Sequence, residues 1–280
     1  MPTIATRAEL ESLLAEDVPC GDLTTDALGI RAVSGEMVFT ARDAMVLALA
    51  EDAAAIIELA GCRVDLLAAP GEVLESGRRI LAARGSAAGL LRSWKVAQNL
   101  IEIWSGVATS ARAIVDAVAA VSPHVAVVGT RKNTPGVKRF AVAALRAGGA
   151  GIHRLGLSET ILVFPEHRVF LGDEALAASV RRLRHAAPEK QLVIEVTSIE
   201  AAIAAADAGF DVIQTEKFAP DGIAELVKRL ATAAHRPVIA AAGGINAKNA
   251  AAYAQAGANV LVTSSPYYAR PCDVQVRIGR

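Results

Sequence analysis

The chain has 280 residues, 29 lysines plus arginines against 29 aspartates plus glutamates, and 53% hydrophobic residues. That length and apolar content suit one large or two smaller folded domains and exclude a disordered chain. A formal charge of zero gives no global attraction to nucleic acid, and charge or glycine interrupts every apolar run before a bilayer-spanning length.

Residues 7–16 read as a short acidic helix ending before Pro19 and Gly21, followed by a Gly/Asp/Thr turn at 21–25. Strands are expected within 35–48, where Met37 and Phe39 alternate with polar neighbours, and at 62–67 and 79–83. A helix over 49–60 closes at Gly61. Ser86 is a plausible N-cap for a long helix to about 104, with Gly106 as its stop and a second helix over 109–120. From 125 onward the rhythm changes. Apolar strands at 125–128, 161–163, 191–196, 211–214, 238–241 and 260–262 alternate with helices at 138–147, 173–187, 198–208, 221–234 and 247–256. That is the spacing of successive βα units in a barrel-like parallel sheet. Pro271 breaks the pattern, and Val274–Ile278 alternates as a closing strand. The expected division is a mixed α/β N-terminal domain over 1–108, joined by 271–280, and an α/β-barrel domain over 109–270.

Cys20, Cys62 and Cys272 are too widely spaced for a metal knuckle or a disulfide scaffold. The charged N-terminal stretch lacks the apolar core of a signal peptide, so a cytoplasmic location is expected.

The chemistry concentrates where charge is unbalanced. Between 127 and 170 seven cations face two acids, Glu159 and Glu166. Arg131-Lys132, His153-Arg154 and His167-Arg168 fall where strand-end loops carry barrel chemistry, a pattern suited to a small polyanion. Gly243-Gly244 follows a strand and precedes a helix, and Ser264-Ser265 follows the next strand; together they are a candidate phosphate site. Glu195 and Glu216 end successive strands and could hold Mg²⁺ against a diphosphate or stabilise a cationic sugar centre. Lys217 follows at once, and a Schiff-base role there is the less supported reading.

Several motifs in one order resemble the nicotinate-nucleotide pyrophosphorylase, or quinolinate phosphoribosyltransferase, family over nearly the whole chain. They are E-D-x-x-x-G-D-L-T-T at 16–25, N-L-x-x-x-x-S-G-V-A-T at 99–109, G-T-R-K-x-T-P-G at 129–136, G-I-H-R-L-G-L at 151–157, A-G-G-I at 242–245 and D-V-Q-V at 273–276. L-S-E-T-I-L-V-F at 157–164, Q-T-E-K-F at 214–218 and V-T-S-S-P-Y-Y-A at 262–269 resemble the ModD branch, named for its association with molybdenum transport loci. The resemblance implies an open, incomplete α/β-barrel of the type II phosphoribosyltransferase kind. It also implies a homodimer with shared sites, or a larger assembly of dimers, and transfer from 5-phosphoribosyl diphosphate with Mg²⁺.

It further implies that Arg131, Lys132, His153 and Arg154 receive an acid substrate and the diphosphate donor. Lys95 stands where the family has a partner-subunit arginine, after Trp94 in place of a glutamate. Glu195 matches the first acid of a Glu-x-Glu strand whose second is Thr197 here. Glu216-Lys217 replaces Asp-Asn, and Ala240 and Ala242 replace a glutamate and a serine before the glycine loop. Phe164 stands where the family has a carboxylate-binding lysine, so quinolinate is not the acceptor expected. The expected activity is phosphoribosyl transfer to an aromatic nitrogen, with Glu195, Glu216 and Lys132 catalytic and Gly243, Gly244, Ser264 and Ser265 on phosphate. A quinolinate enzyme of NAD synthesis and a non-catalytic oxyanion or nucleotide binder are the alternatives.

Overall fold

The computed structural model describes residues 4–233 and 235–280. They divide into two compact units, the first made of residues up to 112 with 133–149 and 266–280, the second of 113–132 and 150–265.

In the first unit Arg7–Asp17 (α1) and Leu23–Ala27 (α2) precede Ser34–Ala41 (β1), Met45–Val46 (β2), Ala50–Leu59 (α3), Arg63–Leu66 (β3), Val73–Leu74 (β4) and Arg79–Ser86 (β5). A four-stranded antiparallel sheet places β1 between β5 and the C-terminal strand Val274–Gly279, with β3 on the far side of β5. Met37, Phe39 and Ala41 alternate inward along β1, as strand periodicity requires, and meet Ile57 of α3 with Ile80 and Leu81 of β5. Asp52, fully buried on α3, ties down the chain start by accepting hydrogen bonds from the Ala5 and Ile4 amides at 2.7 and 3.2 Å.

The long helix Ala87–Ala119 (α4) corrects the sequence expectation of two helices. Ser86 does cap it, its Oγ accepting from the Gly89 amide at 3.2 Å. Gly106 does not end it. A Cβ there would stand 2.2 Å from the Arg270 carbonyl, so this glycine serves a close backbone approach inside an unbroken helix. The helix Lys138–Ala147 (α5) buries Phe140 beside Trp104, ring centroids 6.0 Å apart.

The second unit contains Ala126–Gly129 (β6), Gly151–Ile152 (β7), Ile161–Val163 (β8), Pro165–Val169 (α6), Leu176–Ala186 (α7), Leu192–Val196 (β9), Ile199–Ala208 (α8), Val212–Glu216 (β10), Pro220–Arg229 (α9), Val238–Ala242 (β11), Ala250–Gln255 (α10) and Val260–Thr263 (β12). All seven strands are parallel, in the order β7-β6-β12-β11-β10-β9-β8. The sheet curls but does not close, because β7 and β8 are its two edges: the chain combines an open half-barrel with a mixed α/β unit, as expected. Leu162, Val193, Val212, Ala240, Ala242 and Val262 fill its concave face. The ends of the other expected helices and strands hold to a few residues. The short elements α2, β4, β7 and α6 lay below what periodicity resolves, and the expected 221–234 helix stops at Arg229. No helix among the described residues is long and apolar enough to cross a membrane.

Candidate active site

The C-terminal ends of the seven strands surround a cleft of about 290 Å³. Because strand order fixes the order of the strand-end loops, the rim can be followed across the sheet. His153 and Arg154 follow β7, and Arg131 and Lys132 follow β6. Ser264 and Ser265 follow β12, Gly243 and Gly244 follow β11, and Glu216 ends β10. Glu195 lies on β9 and Phe164 follows β8. The sheet therefore brings these eleven sequence candidates together; Lys95, Lys217, His167 and Arg168 do not line the cleft. Cations occupy one side, hydroxyls and glycines the middle, and acids with an aromatic ring the other.

Arg154 is the most constrained of the cations. Only 6% exposed, it donates from Nε to the Gly156 carbonyl at 2.9 Å and from Nη2 to the Leu157 carbonyl at 3.4 Å. Its Nη1 is buried without a hydrogen-bond partner. Burial and neighbouring Arg131 lower its affinity for the proton, against the opposing pull of Glu159. An arginine nevertheless stays charged, so a buried guanidinium N–H is left without an acceptor, a costly state that a bound anion would relieve. Burial, with the charge of Arg154, also lowers the His153 value, Glu159 opposing, which favours a neutral imidazole. Arg131 and Lys132 are exposed at the rim.

On the acid side, the Gln214 Nε2 donates to Glu195 Oε2 at 2.6 Å. Burial raises the Glu195 carboxyl above its usual range. The Gln214 hydrogen bond opposes that rise, the charges of Glu216 and Glu166 add to it, and Lys132 opposes it. Gln214 lines the cleft and was missed as a site residue, although Val212, Gln214 and Glu216 share one face of β10 by strand alternation. Thr130, Thr263 and Asn246 also line the cleft.

Lys217 turns the chain sharply after β10. Its φ of +58° puts a non-glycine residue in the left-handed region, and its amide donates to the Ala242 carbonyl at 2.8 Å. Its Nζ lies 4.0 Å from Glu216 Oε1. A Cβ on Gly243 would come within 2.7 Å of Lys217 Cγ and 2.8 Å of its amide nitrogen, so the glycine makes room for this turn. Asparagine tolerates the left-handed region better than lysine does. Lys217→Asn is therefore expected to raise stability by about 0.5–1 kcal/mol, seen as a higher midpoint in thermal melts; a lower midpoint would mean that the contacts of the lysine outweigh its backbone strain.

The glycine loop departs from expectation in one respect. Helix α10 starts only at Ala250, because Asn246 and Asn249 both donate from Nδ2 to the Gly244 carbonyl at 3.1 Å and hold 244–249 as a turn. Gly243 and Gly244 have φ of +91° and +78°, and the Thr263 hydroxyl donates to the Ile245 carbonyl at 2.7 Å. The candidate phosphate site is thus a braced loop beside two serines, without a helix terminus.

Phe164 is half-buried. Its ring stacks on His167 at 5.9 Å, and its amide donates to His167 Nδ1 at 3.0 Å. Lys95 lies in the first unit, exposed on α4, its Nζ 2.9 Å from Gln98 Oε1 and 4.1 Å from the centre of the Trp94 ring; it is not part of the cleft wall. Among the described residues no three His, Cys, Asp or Glu side chains gather to hold a metal. Glu195 and Glu216 make a two-carboxylate set, which fits Mg²⁺ shared with substrate phosphates and does not fit an ion caged by protein alone.

Such a cleft, cationic at one side, hydroxylic in the middle and acidic at the other, offers polar partners to anionic and hydroxylated ligands. Comparison with known proteins agrees. Residues 22–105 match the family described as "Quinolinate phosphoribosyl transferase, N-terminal domain", and residues 107–277 match its C-terminal domain. A Rhodobacter capsulatus protein named "Putative pyrophosphorylase ModD" is 49% identical over 242 residues, 86% of this chain and 93% of the relative. A Methanothermobacter thermautotrophicus protein named "Probable nicotinate-nucleotide pyrophosphorylase [carboxylating]" is 29% identical over 96% of this chain and 97% of its own. The crystal structure of NadC from Streptococcus pyogenes superposes with a TM-score of 0.88 at 26% identity, over 97% of this chain and 95% of that one. With both domain models matched in order, the chain belongs to the quinolinate phosphoribosyl transferase family, in its ModD/NadC-like group of pyrophosphorylase-type transferases.

Proposed function

We propose that the chain transfers the phosphoribosyl group of 5-phosphoribosyl diphosphate to the ring nitrogen of a pyridine acid, with quinolinate the acceptor that the relatives' names support best. The observation that carries this reading is Arg154, a buried guanidinium at the cleft whose Nη1 has no hydrogen-bond partner. Arg154, with Arg131, orients the acceptor's carboxylate. Lys132 meets the diphosphate, while the Gly243-Gly244 loop with Ser264 and Ser265 holds the 5-phosphate. As the bond from C1 to the diphosphate oxygen breaks, its electron pair leaves with pyrophosphate, and the acceptor nitrogen's lone pair forms the new N–C1 bond. Glu195 and Glu216 face the positive charge that develops on the sugar, and placement with electrostatics supplies the catalysis. With quinolinate, the carboxylate beside the nitrogen then departs as carbon dioxide, its bonding pair staying on the ring carbon, which takes a proton from water. Mg²⁺, held by Glu195 and Glu216 together with the diphosphate, would offset charge on the leaving group. Lys95, which does not line the cleft, is proposed to serve a partner's site in a homodimer.

One observation favours a different acceptor. Phe164 puts an aromatic ring on the wall beyond Glu195, where a second acceptor carboxylate would gain from a cation. Incubating the protein with the donor and either quinolinate or nicotinate separates the two readings. Pyrophosphate with stoichiometric carbon dioxide from quinolinate supports the first. Nicotinate turnover with quinolinate inert supports the second, and oxyanion binding without pyrophosphate release from either defeats both.

A further inference from the structure

The buried acid side of the cleft holds a second orphaned atom, the Gln214 carbonyl oxygen. Gln214 is 5% exposed and lies on β10 in register with Glu195 of β9 on one side and Ala240 of β11 on the other. Its amide orientation is set by chemistry. A carboxylate accepts and cannot donate, so the Nε2 must face Glu195 Oε2, which it does at 2.6 Å. Oε1 then points away from Glu195 and is buried with no hydrogen-bond partner. The concave face around it is built of Val193, Val212, Ala240 and Ala242, none of which has a side-chain donor. A buried amide carbonyl left unpaired costs stability, which the free protein bears and a ligand bringing an O–H or N–H would recover.

The identity of that donor follows from the proposed substrates, so the inference rests on the phosphoribosyl reading above. At neutral pH an ionised diphosphate and 5-phosphate essentially accept hydrogen bonds only, and a pyridine carboxylate with a free ring nitrogen has no donor. The ribose hydroxyls are the O–H groups left. We propose that Gln214 reads the donor's ribose: its Oε1 accepts a hydrogen bond from a ribose hydroxyl while its Nε2 holds Glu195 in place. One amide thereby couples sugar recognition to the orientation of the carboxylate that faces the reacting carbon.

The test is calorimetric affinity of the intact protein, in buffer free of Mg²⁺, for three probes, 5-phosphoribosyl diphosphate, ribose 5-phosphate and pyrophosphate, in wild type and Gln214→Met. The variant keeps the side chain's length and removes both hydrogen-bonding groups. Binding of the two sugar phosphates is expected to weaken about 5- to 10-fold, with pyrophosphate affinity unchanged. Sugar phosphates bound as tightly as by wild type, or a loss shared equally by pyrophosphate, would overturn the role of Gln214. Should Gln214→Met fail to fold, Gln214→Glu decides. A proton shared with Glu195 can replace the amide N–H only while it is retained, so sugar-phosphate affinity relative to wild type must fall from mildly acidic to mildly basic pH; a constant ratio refutes the proposal. If wild type itself binds neither sugar phosphate, the phosphoribosyl reading falls and this inference with it. If wild type binds both and Gln214→Met binds them equally, only the inference falls.

Discussion

Arg154→Met is expected to lower kcat/KM for the acceptor by roughly 30-fold to several thousand-fold, the loss of about 2–5 kcal/mol that follows truncation of a buried, charged hydrogen-bonding group. Three features of the side chain produce that size. It is almost fully buried, so its interaction with an anion is little screened by water. Two of its nitrogens are already held by the Gly156 and Leu157 carbonyls, so the guanidinium plane is fixed with little further ordering cost. Replacing it also releases those two carbonyls, and part of the loss will come from the loop. Arg154→Lys separates the contributions: it keeps the charge but cannot hold both carbonyls and an anion in one plane. Partial recovery of kcat/KM in Arg154→Lys, with a lower melting point than wild type, is the expected pattern. Activity of Arg154→Met within threefold of wild type, measured by initial rates under subsaturating acceptor, would remove Arg154 from acceptor binding.

Glu195→Gln is expected to reduce kcat by roughly 100- to 1,000-fold, with a smaller change in KM for the donor, because the carboxylate matters most when positive charge develops on the sugar. The same variant should be more stable than wild type at neutral pH. Burial, with the charges of Glu216 and Glu166, raises Glu195 above its usual value of 4.5, while Gln214 and Lys132 oppose that rise incompletely. The folded state therefore binds this proton more tightly than the unfolded chain does. Stability contributed by the site is greatest below 4.5 and declines as pH climbs through the raised value. At neutral pH the ionised Glu195 costs stability, and glutamine removes that cost while still accepting from Gln214. Activity in wild type should run the opposite way, its acid limb falling as Glu195 takes up a proton at a pH above the ordinary carboxylate range. Thermal melts and kcat against pH check both halves, and a Glu195→Gln protein that is both less stable and fully active would contradict the assignment.

Much of this site was legible in the residues because barrel architecture converts sequence position into spatial position. Once strands are placed, residues at their C-terminal ends must share one rim, so Arg131, Glu195, Glu216 and Gly243 could be grouped without coordinates. What escaped did so for physical reasons. Gly106 looks like a helix stop because its partner, the Arg270 backbone, is remote in sequence, and no local pattern announces that approach. Strand β7 is two residues long, too short to show a period, although it places His153 and Arg154. Gln214 sits inside an apolar strand and lacks a charge, so it drew no notice beside Glu216; its inward phase on β10 was the available signal. The delayed start of α10 depends on two asparagine side chains choosing the Gly244 carbonyl, a competition between local hydrogen bonds that propensity does not decide.

The central claim is that this cleft moves a phosphoribosyl group. Phosphorus NMR of the wild-type protein mixed with 5-phosphoribosyl diphosphate, Mg²⁺ and quinolinate or nicotinate observes that event directly. The account predicts that the donor's diphosphate resonances are replaced by free pyrophosphate and a new phosphomonoester signal, in equal amounts and only when an acceptor is present. Donor resonances that persist unchanged with both acceptors, or pyrophosphate released equally without either, would contradict it.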